Sequence, residues 1–296
     1  MCQACGVTNE RPTSRNPGDA WVLAPDGARY WGRFGAAGLL AVDAARGILL
    51  QHRVSWSHFG DTWGLPGGAR HEDESTTDAA LRESAEEAGV PSGSIRPRLL
   101  SVLDLGYWSY TTLVGDVETP FEPTISDPES TALEWVPADV VQERPLHPGF
   151  ATAWVRLREL LSVRPAVVID VANMIGSVPD GWWRDRAGAA DRLLASVSER
   201  SGRGIPAAEL SLPEHTWFPE WVAVVEGAGR GASDLDGLSV VRAASSGDDA
   251  IVAEARRLGD AGRSVTVVTA DRELADRCRE TGAVVHGPRW LRDLLT

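Results

Sequence analysis

The chain has no lysine. All 29 of its basic residues, among 296 positions, are arginine. That absence excludes a Schiff-base mechanism and a phosphate-gripping P-loop lysine, so phosphate contacts must come from arginine or backbone amides. Cysteine is scarce as well: Cys2, Cys5 and Cys278 cannot build a disulfide framework. Cys2 and Cys5 form a single CxxC pair, short of the four ligands a structural zinc takes. They read as reduced thiols in a disordered tail over residues 1–19. No apolar run approaches a membrane span, and the opening MCQACGVTNERPTSR lacks a signal-peptide core. The expectation is a soluble, cytoplasmic protein with no membrane partner; its oligomeric state is left open. Positive charge is in deficit, with a net charge of −13. Residues 1–163 hold 13 arginines against 22 acids (−9), and residues 164–296 hold 16 against 20 (−4). Neither half suits a general nucleic-acid coat.

What is present falls into two parts. The length suits two domains, and 43% hydrophobic residues set no limit on core size. A boundary is expected near Ser162–Pro165, giving domains over 20–163 and 164–296. In the first, GARHEDESTTDAALRESAEEAGV (68–90) carries G-x5-E-x7-R-E-x-x-E-E-x-G at Gly68, Glu74, Arg82, Glu83, Glu86, Glu87 and Gly89. A chance match at all seven is on the order of 10⁻⁵ for this composition. Asp78 to Ala88 lacks Gly and Pro, which predicts a helix. At helical pitch Glu83, Glu86 and Glu87 share one face, and Leu81, Ser84, Ala85 and Ala88 another, suited to packing on a sheet. Three like charges on adjacent turns call for a hard divalent cation with oxygen ligands. A solvated acidic face is the plainer alternative, but it leaves unexplained the glycines of LPGGA just ahead.

This pattern resembles the signature of the Nudix hydrolase family, over about residues 35–161. The family's usual apolar residue between the two acidic pairs is here Ser84. The resemblance implies an α/β/α sandwich with a mixed sheet. It implies hydrolysis of the diphosphate bond of a nucleoside triphosphate or nucleoside diphosphate derivative, with Mg²⁺ or Mn²⁺. Glu83, Glu86 and Glu87 would hold the metal with the Gly67 carbonyl, one of them also orienting water. Arg82 would pair with Glu74. Glu129, in SDPESTALEW, is the candidate for a further base. Trp56, Phe59, Trp63, Tyr107 and Trp108 could stack on a base or fill the core. Members that cleave ADP-ribose often carry a proline where this chain has Gly106, which points away from that subgroup. Strands are expected in 38–54 and 101–117, and a helix near 149–161 with Phe150, Trp154, Leu157 and Leu161 inward.

After residue 164, apolar strands at 166–170, 221–226 and 264–269 alternate with helices near 187–199, 249–259 and 271–280, and AVVH (283–286) reads as a last strand. That alternation argues for a parallel sheet with covering helices. Asp170, Glu226 and Asp271 follow strands, and Asp248 and Asp249 open a helix. In open parallel sheets, ligands bind at the strands' carboxyl ends. VVIDVANMIGS, SSGDDAIVAEARRL and VTVVTADREL are similar to segments of the PIN-like and NYN ribonuclease superfamily, a Rossmann-like fold. The resemblance implies metal held by Asp170, Asp249 and Asp271, assisted by Asp248 and Asn173, and single-stranded RNA as substrate. Helix capping by Asp248 and Asp271 is the plainer reading of those residues. WWRDR (182–186) and Arg256–Arg257 could meet phosphates or lie on a helix surface. Three functions compete: a two-domain hydrolase, a nucleotide sensor governing an attached nuclease, and a hydrolase with a structural or dimerising second half.

Overall fold

The computed structural model describes residues 17–177 and 184–296. Cys2, Cys5, most of the expected tail, and Trp182–Trp183 lie outside them. The chain divides into two compact units. The first comprises the described residues to Ile95, Val102–Leu113 and Val117–Pro145; the second comprises Arg96–Ser101, Val114–Asp116 and Leu146–Thr296.

The first unit opens with a small antiparallel hairpin, β1 (Trp21–Leu23) and β2 (Arg29–Trp31), which pairs with no other strand. A larger sheet follows. Strands β3 (Ala36–Asp43) and β4 (Gly47–Arg53) are joined by the expected turn, where Asp43 accepts from the amides of Ala45 and Arg46. Their apolar runs are buried on both faces: Leu39, Leu40, Ala41, Ile48, Leu49 and Leu50 are all inaccessible. Strand β5 (Trp63–Gly64) pairs antiparallel with β4, and β6 (Gly67–Ala69) with β3. Helix α1 (Thr76–Ala88) comes next. The segment read as one stretch of strand is two, β7 (Ile95–Asp104) and β8 (Ser109–Val117), and β9 (Ser130–Val136) pairs antiparallel with β4.

Helix α1 has well-formed ends. Ser75 caps its start by accepting from the Asp78 amide at 3.0 Å, and Gly89 ends it at φ 64, its N–H on the Ala85 carbonyl. Its buried stripe is Ala79, Ala80, Ser84, Glu87 and Ala88. The expected two-face split therefore shifts: Ala85 is exposed, and Glu87 turns in with the packing residues. Ser84, fully buried, satisfies its hydroxyl on the Leu81 carbonyl one turn back.

The second unit begins with helix α2 (Pro148–Leu160), which buries Phe150, Trp154, Leu157 and Leu160; Leu161, expected inward, is the cap residue instead. The turn after α2 was the expected boundary, yet α2 and the middles of β7 and β8 group with the second unit. Arg98, buried, donates to the Leu161 carbonyl at 2.8 Å and pairs with Asp116, which also meets Arg164 at 3.3 Å. Then come β10 (Pro165–Asp170), α3 (Val171–Gly176) and α4 (Arg186–Arg203). The short β11 (Ile205–Pro206) and β12 (Thr216–Trp217) pair with each other, and β12 with Leu99 and Leu100. Next are β13 (Glu220–Val225), β14 (Ser239–Arg242), α5 (Gly247–Asp260) and β15 (Ser264–Val268). Helix α6 (Arg272–Glu280), β16 (Val284–His286) and α7 (Pro288–Leu295) complete it. The five-stranded sheet runs β14-β13-β10-β15-β16, every pair parallel. Alternation along each strand divides two cores. Val167, Ile169, Trp221, Ala223 and Val225 pack towards α3, α4 and α7, while Ala166, Val168, Val222 and Val224 pack towards α5 and α6. From β10 the chain runs outward through β13 to β14 and then crosses back to β15 on the other side of β10, so the strand order reverses between β10 and β15.

Replacing Gly89 by alanine is expected to cost about 1 kcal/mol, because an L side chain is strained at positive φ and the new methyl would press on Thr124. Chemical denaturation should show a lower midpoint at unchanged slope; an unchanged midpoint would contradict the cap geometry.

Candidate active site

Helix α1 and strand β6 face each other across two glycines. A Cβ on Gly67 would strike the Ala37 carbonyl and the Gly38 backbone of β3, and one on Gly68 would stand 2.6 Å from the Glu83 carboxylate. Glycine at 67 lets β6 lie against the β3 backbone, and glycine at 68 spares the Glu83 carboxylate from shifting. The Gly67 amide then donates to Glu87 Oε2 at 2.8 Å.

Arg82 ties the parts together. Its Nε reaches Glu74 Oε1 at 2.8 Å and its Nη2 reaches Glu74 Oε2 at 2.9 Å, a bidentate pair. Nη2 also donates to the Ala69 carbonyl, and Nη1 to Glu83 at 2.8 Å and Glu86 at 3.3 Å. Glu74 additionally accepts from the His71 amide. Hydrogen bonding to Arg82 holds the Glu74 carboxyl below its usual range. Glu83 is pushed the other way, chiefly by burial, with Arg82 opposing and Glu86 and Asp19 adding to the push. Glu87 is pushed up to about 8, again chiefly by burial; the Gly67 amide opposes this, and Asp127 and Glu83 reinforce it. Glu86 lies open to solvent.

Of the residues singled out from the sequence, Glu74, Arg82, Glu83, Glu86, Glu87, Gly67 and Gly68 are brought together, and Gly89 ends their helix. Glu129 is not shown against the carboxylates. Its carbonyl accepts from the Val54 amide, and its own amide donates to Asp127. Asp127, two residues earlier, is the acid that Glu87 senses. Nothing in the spacing of that loop distinguishes the two. Two further neighbours carried no motif: Arg53, whose charge favours ionised Glu87, and the Tyr110 phenol, raised by burial and by Glu87. Of the candidate stacking rings, Trp63 is buried beside His52 and under Arg144, a core role. Trp56, Phe59 and Tyr107 are exposed.

In the second unit the acids gather at the carboxyl edge of the parallel sheet. Asp170 caps α3 through the Asn173 amide at 3.0 Å, and its other oxygen accepts from the Thr269 hydroxyl at 2.9 Å. Asn173 Oδ1 accepts from the Ala270 amide, bridging the ends of β10 and β15. Asp271 caps α6 on Leu274, and Glu226 accepts from the Gly247 amide. Burial raises the carboxyl of Asp170, with Asp248 and Glu226 adding to it; burial likewise raises Asp248, with Asp271 and Glu226 next. Asp170 is thus in electrostatic reach of Asp248 and Glu226, and Asp248 of Asp271, Glu226 and Asp249. Asp249 is salt-bridged to Arg277. Arg257 pairs with Glu254 on the surface of α5.

Among the described residues, no three His, Cys, Asp or Glu side chains converge as a ready-made metal cage. In the first unit the donors still fit a hard cation: the Glu83 carboxylate lies against Gly68 and that of Glu87 on the Gly67 amide, and exposed Glu86 has room to turn. In the second, Asp170, Glu226 and Asp271 are engaged by amides or a hydroxyl, leaving each spare lone pairs.

Residues 32–159 match the NUDIX domain family. A Mycobacterium tuberculosis protein provisionally named 8-oxo-dGTP diphosphatase 3 is 44% identical over 166 residues, covering 53% of this chain and 76% of that one. A Bifidobacterium longum nucleoside triphosphate pyrophosphatase/Nudix hydrolase fusion protein is 39% identical over 163 residues, covering 52% of this chain and 34% of its own length. Among solved structures, the M. smegmatis Nudix hydrolase RenU is 44% identical, covers 49% of this chain and 96% of its own, and has a TM-score of 0.44.

The Glu87 environment has a measurable sign. Its folded pKa, near 8, lies above the ordinary 4.5, so the folded state holds its proton more tightly than the unfolded chain. The stability this lends is complete below about pH 4.5 and is lost as pH rises towards and through 8, at up to about 1.4 kcal/mol per unit. In chelator, Glu87→Gln should therefore melt above wild type at pH 8, and its advantage should shrink towards pH 5. A difference that stays constant across that window in calorimetry would contradict the buried setting.

Proposed function

The chain belongs to the Nudix family, and on that premise we propose that its first unit hydrolyses the diphosphate bond of a purine nucleoside triphosphate. The carrying observation is the Arg82-centred constellation, which presents Glu83, Glu86 and Glu87 opposite the Gly67–Gly68 strand. Water adds across a P–O–P linkage, releasing nucleoside monophosphate and pyrophosphate from a triphosphate. Glu83, Glu86, Glu87 and the Gly67 carbonyl would hold Mg²⁺ or Mn²⁺. The bound ion supplies charge neutralisation and Lewis acidity at the phosphates. Arg53, in a chain without lysine, is the cation nearest in effect to Glu87 and would meet the phosphate oxygens. Asp127 or one of the helix carboxylates would orient the water; Asp127 replaces Glu129 as the loop acid in this reading. The name of the 44% identical relative makes 8-oxo-dGTP the first substrate to test.

Glu86→Gln and Glu87→Gln should each lower turnover by at least about two orders of magnitude at saturating metal, with circular dichroism unchanged. Near-normal turnover in both would remove the helix from the chemistry.

For the second unit the proposal is a PIN-like, metal-dependent ribonuclease acting on single-stranded RNA. It is supported by the all-parallel sheet, the reversal between β10 and β15, and the acids at that edge. Asp170, Asp248 and Asp271 would hold the ion, with Asn173 and Glu226 assisting; Asp249 is given a structural role through Arg277. Cytoplasmic residence accords with both substrates. Purified chain incubated with single-stranded RNA and Mn²⁺ should cut it, and Asp248→Asn should reduce cutting by at least about tenfold. RNA left intact by wild type would make this unit a scaffold.

A further inference from the structure

The matched family region begins at residue 32, but the hairpin before it carries aromatic residues at an unusual density. Register across β1 and β2 sets Trp21 opposite Trp31, Val22 opposite Tyr30, and Leu23 opposite Arg29. One face therefore shows Trp21, Leu23, Arg29 and Trp31, and the other shows Tyr30. Trp21 is 44% exposed, Leu23 69% and Trp31 38%. Three large apolar side chains on six strand residues form an exposed patch that folding alone does not require. An isolated two-stranded hairpin is also marginal. This one is pinned from its Tyr30 face: Tyr30 packs on Trp108 at 4.6 Å and near Tyr107 at 5.9 Å, and the Trp108 indole donates to the Trp31 carbonyl at 3.0 Å.

Two physical links run from this hairpin to the carboxylates. Along β8, Trp108 and Tyr110 share a side, their rings 6.2 Å apart, and Tyr110 senses both Glu87 and Glu83. The row Tyr110–Trp108–Tyr30 thus leads from the metal-ligand face to the hairpin in ring-sized steps. The second link is the loop 54–61. Arg53 at its start donates to the His58 carbonyl, and the His58 ring meets Trp21 edge-on at 5.6 Å and Phe59 at 4.2 Å. Phe59 and Asp61 hold positive φ (54 and 58), conformations non-glycine residues adopt at a cost, and this loop keeps Phe59 46% exposed. Burial, then the charges of Arg53 and Arg29, hold the His58 imidazole below its usual range.

We propose that the β1–β2 hairpin and the 54–61 loop form the base-recognition site of the hydrolase, with Trp21, Trp31, His58 and Phe59 taking the purine base of a nucleotide whose phosphates lie at Arg53 and the α1 carboxylates. This rests on the hydrolase reading above. A purine is the occupant that the hydrolase reading supplies, and aromatic stacking takes a base's π-face while tolerating substitution on the ring. Arg29, over the Trp21 ring at 5.3 Å, leaves guanidinium donors at the rim for a base carbonyl.

The test uses the full chain with Mg²⁺ and three substrates: a purine nucleoside triphosphate, a pyrimidine nucleoside triphosphate, and the base-free diphosphate 5-phosphoribosyl pyrophosphate. Calorimetric binding of an α,β-methylene purine triphosphate is measured in parallel. Trp21→Ala with Trp31→Ala, and separately Phe59→Ala, should raise the purine KM by about tenfold or more, leave kcat within about twofold, and weaken analogue binding to match. The base-free substrate should be unaffected. Equal losses on all three substrates would show a structural hairpin, and unchanged analogue affinity would show that the base binds elsewhere; either overturns the proposal. If wild type binds the analogue through these residues yet cleaves nothing, base recognition stands and the hydrolase reading falls.

Discussion

The Arg82 guanidinium is the interaction on which the first unit's site depends. From one side chain it reaches a carboxylate before the helix, a strand carbonyl and two carboxylates on its own helix. An ammonium group could not do this: a planar fork addresses Glu74 with two parallel bonds and still has donors left. The consequence is positional. The loop from Arg70 to Ser75 and the first turns of α1 are locked to strand β6, so Glu83 meets Gly68 where no Cβ intervenes. Glu87 then falls on the buried side of the helix, against the Gly67 amide.

That burial is unfavourable for Glu87 as an isolated group, and the fold keeps it. A carboxyl raised to about 8 by desolvation and like charge sits where an apolar residue would pack more stably. Groups so perturbed, in a cleft with partners of the same sign, cluster where a cation or phosphate is to be handled. Asp170 in the second unit is likewise buried and raised, but there a hydroxyl as well as an amide bonds the carboxylate.

The Nudix half was legible because its chemistry is local. Seven of its residues lie within twenty-two positions, where spacing translates directly into helix geometry and loop glycines. The neighbours that spacing could not reveal lie far away in sequence. Asp127, Arg53 and Tyr110 reach Glu87 only through strand pairing, and a lone Asp, Arg or Tyr has no periodicity to announce it. On α1 periodicity could not tell how deep each residue sits: against β3 and β6, Glu83 and Glu87 turn to Gly68 and Gly67, while Glu86 and Ala85 stay exposed. In the second unit strands β10, β13, β15 and β16 and helices α2, α4, α5 and α6 were legible from apolar runs and caps. Helices α3 and α7, the β11–β12 pair and strand β14 were not, being short and lacking a clean pattern. Asp248 and Asp249 were both candidates, and spacing could not rank them, since adjacent residues on a helix point about 100° apart and the Asp249–Arg277 pair is made with another helix.

Capping and metal ligation are often set against each other as readings of an Asp at a helix start, but the second unit shows why they need not compete. Asp170 and Asp271 each give one oxygen to an amide of the helix they begin. Those bonds fix the carboxylate plane and leave further lone pairs directed elsewhere. Parallel strands joined by crossovers end on one edge, so helices that start there bring their caps to that edge together. A capping Asp at this place is pre-oriented by the helix it caps and surrounded by others in the same position. Burial chiefly raises the carboxyls of Asp170 and Asp248, and the neighbouring acids at that edge add to it. Asp248 differs from Asp170 and Asp271 in capping nothing, since Ser246 caps α5 in its stead, so its carboxylate is spared the helix-amide bond that theirs make.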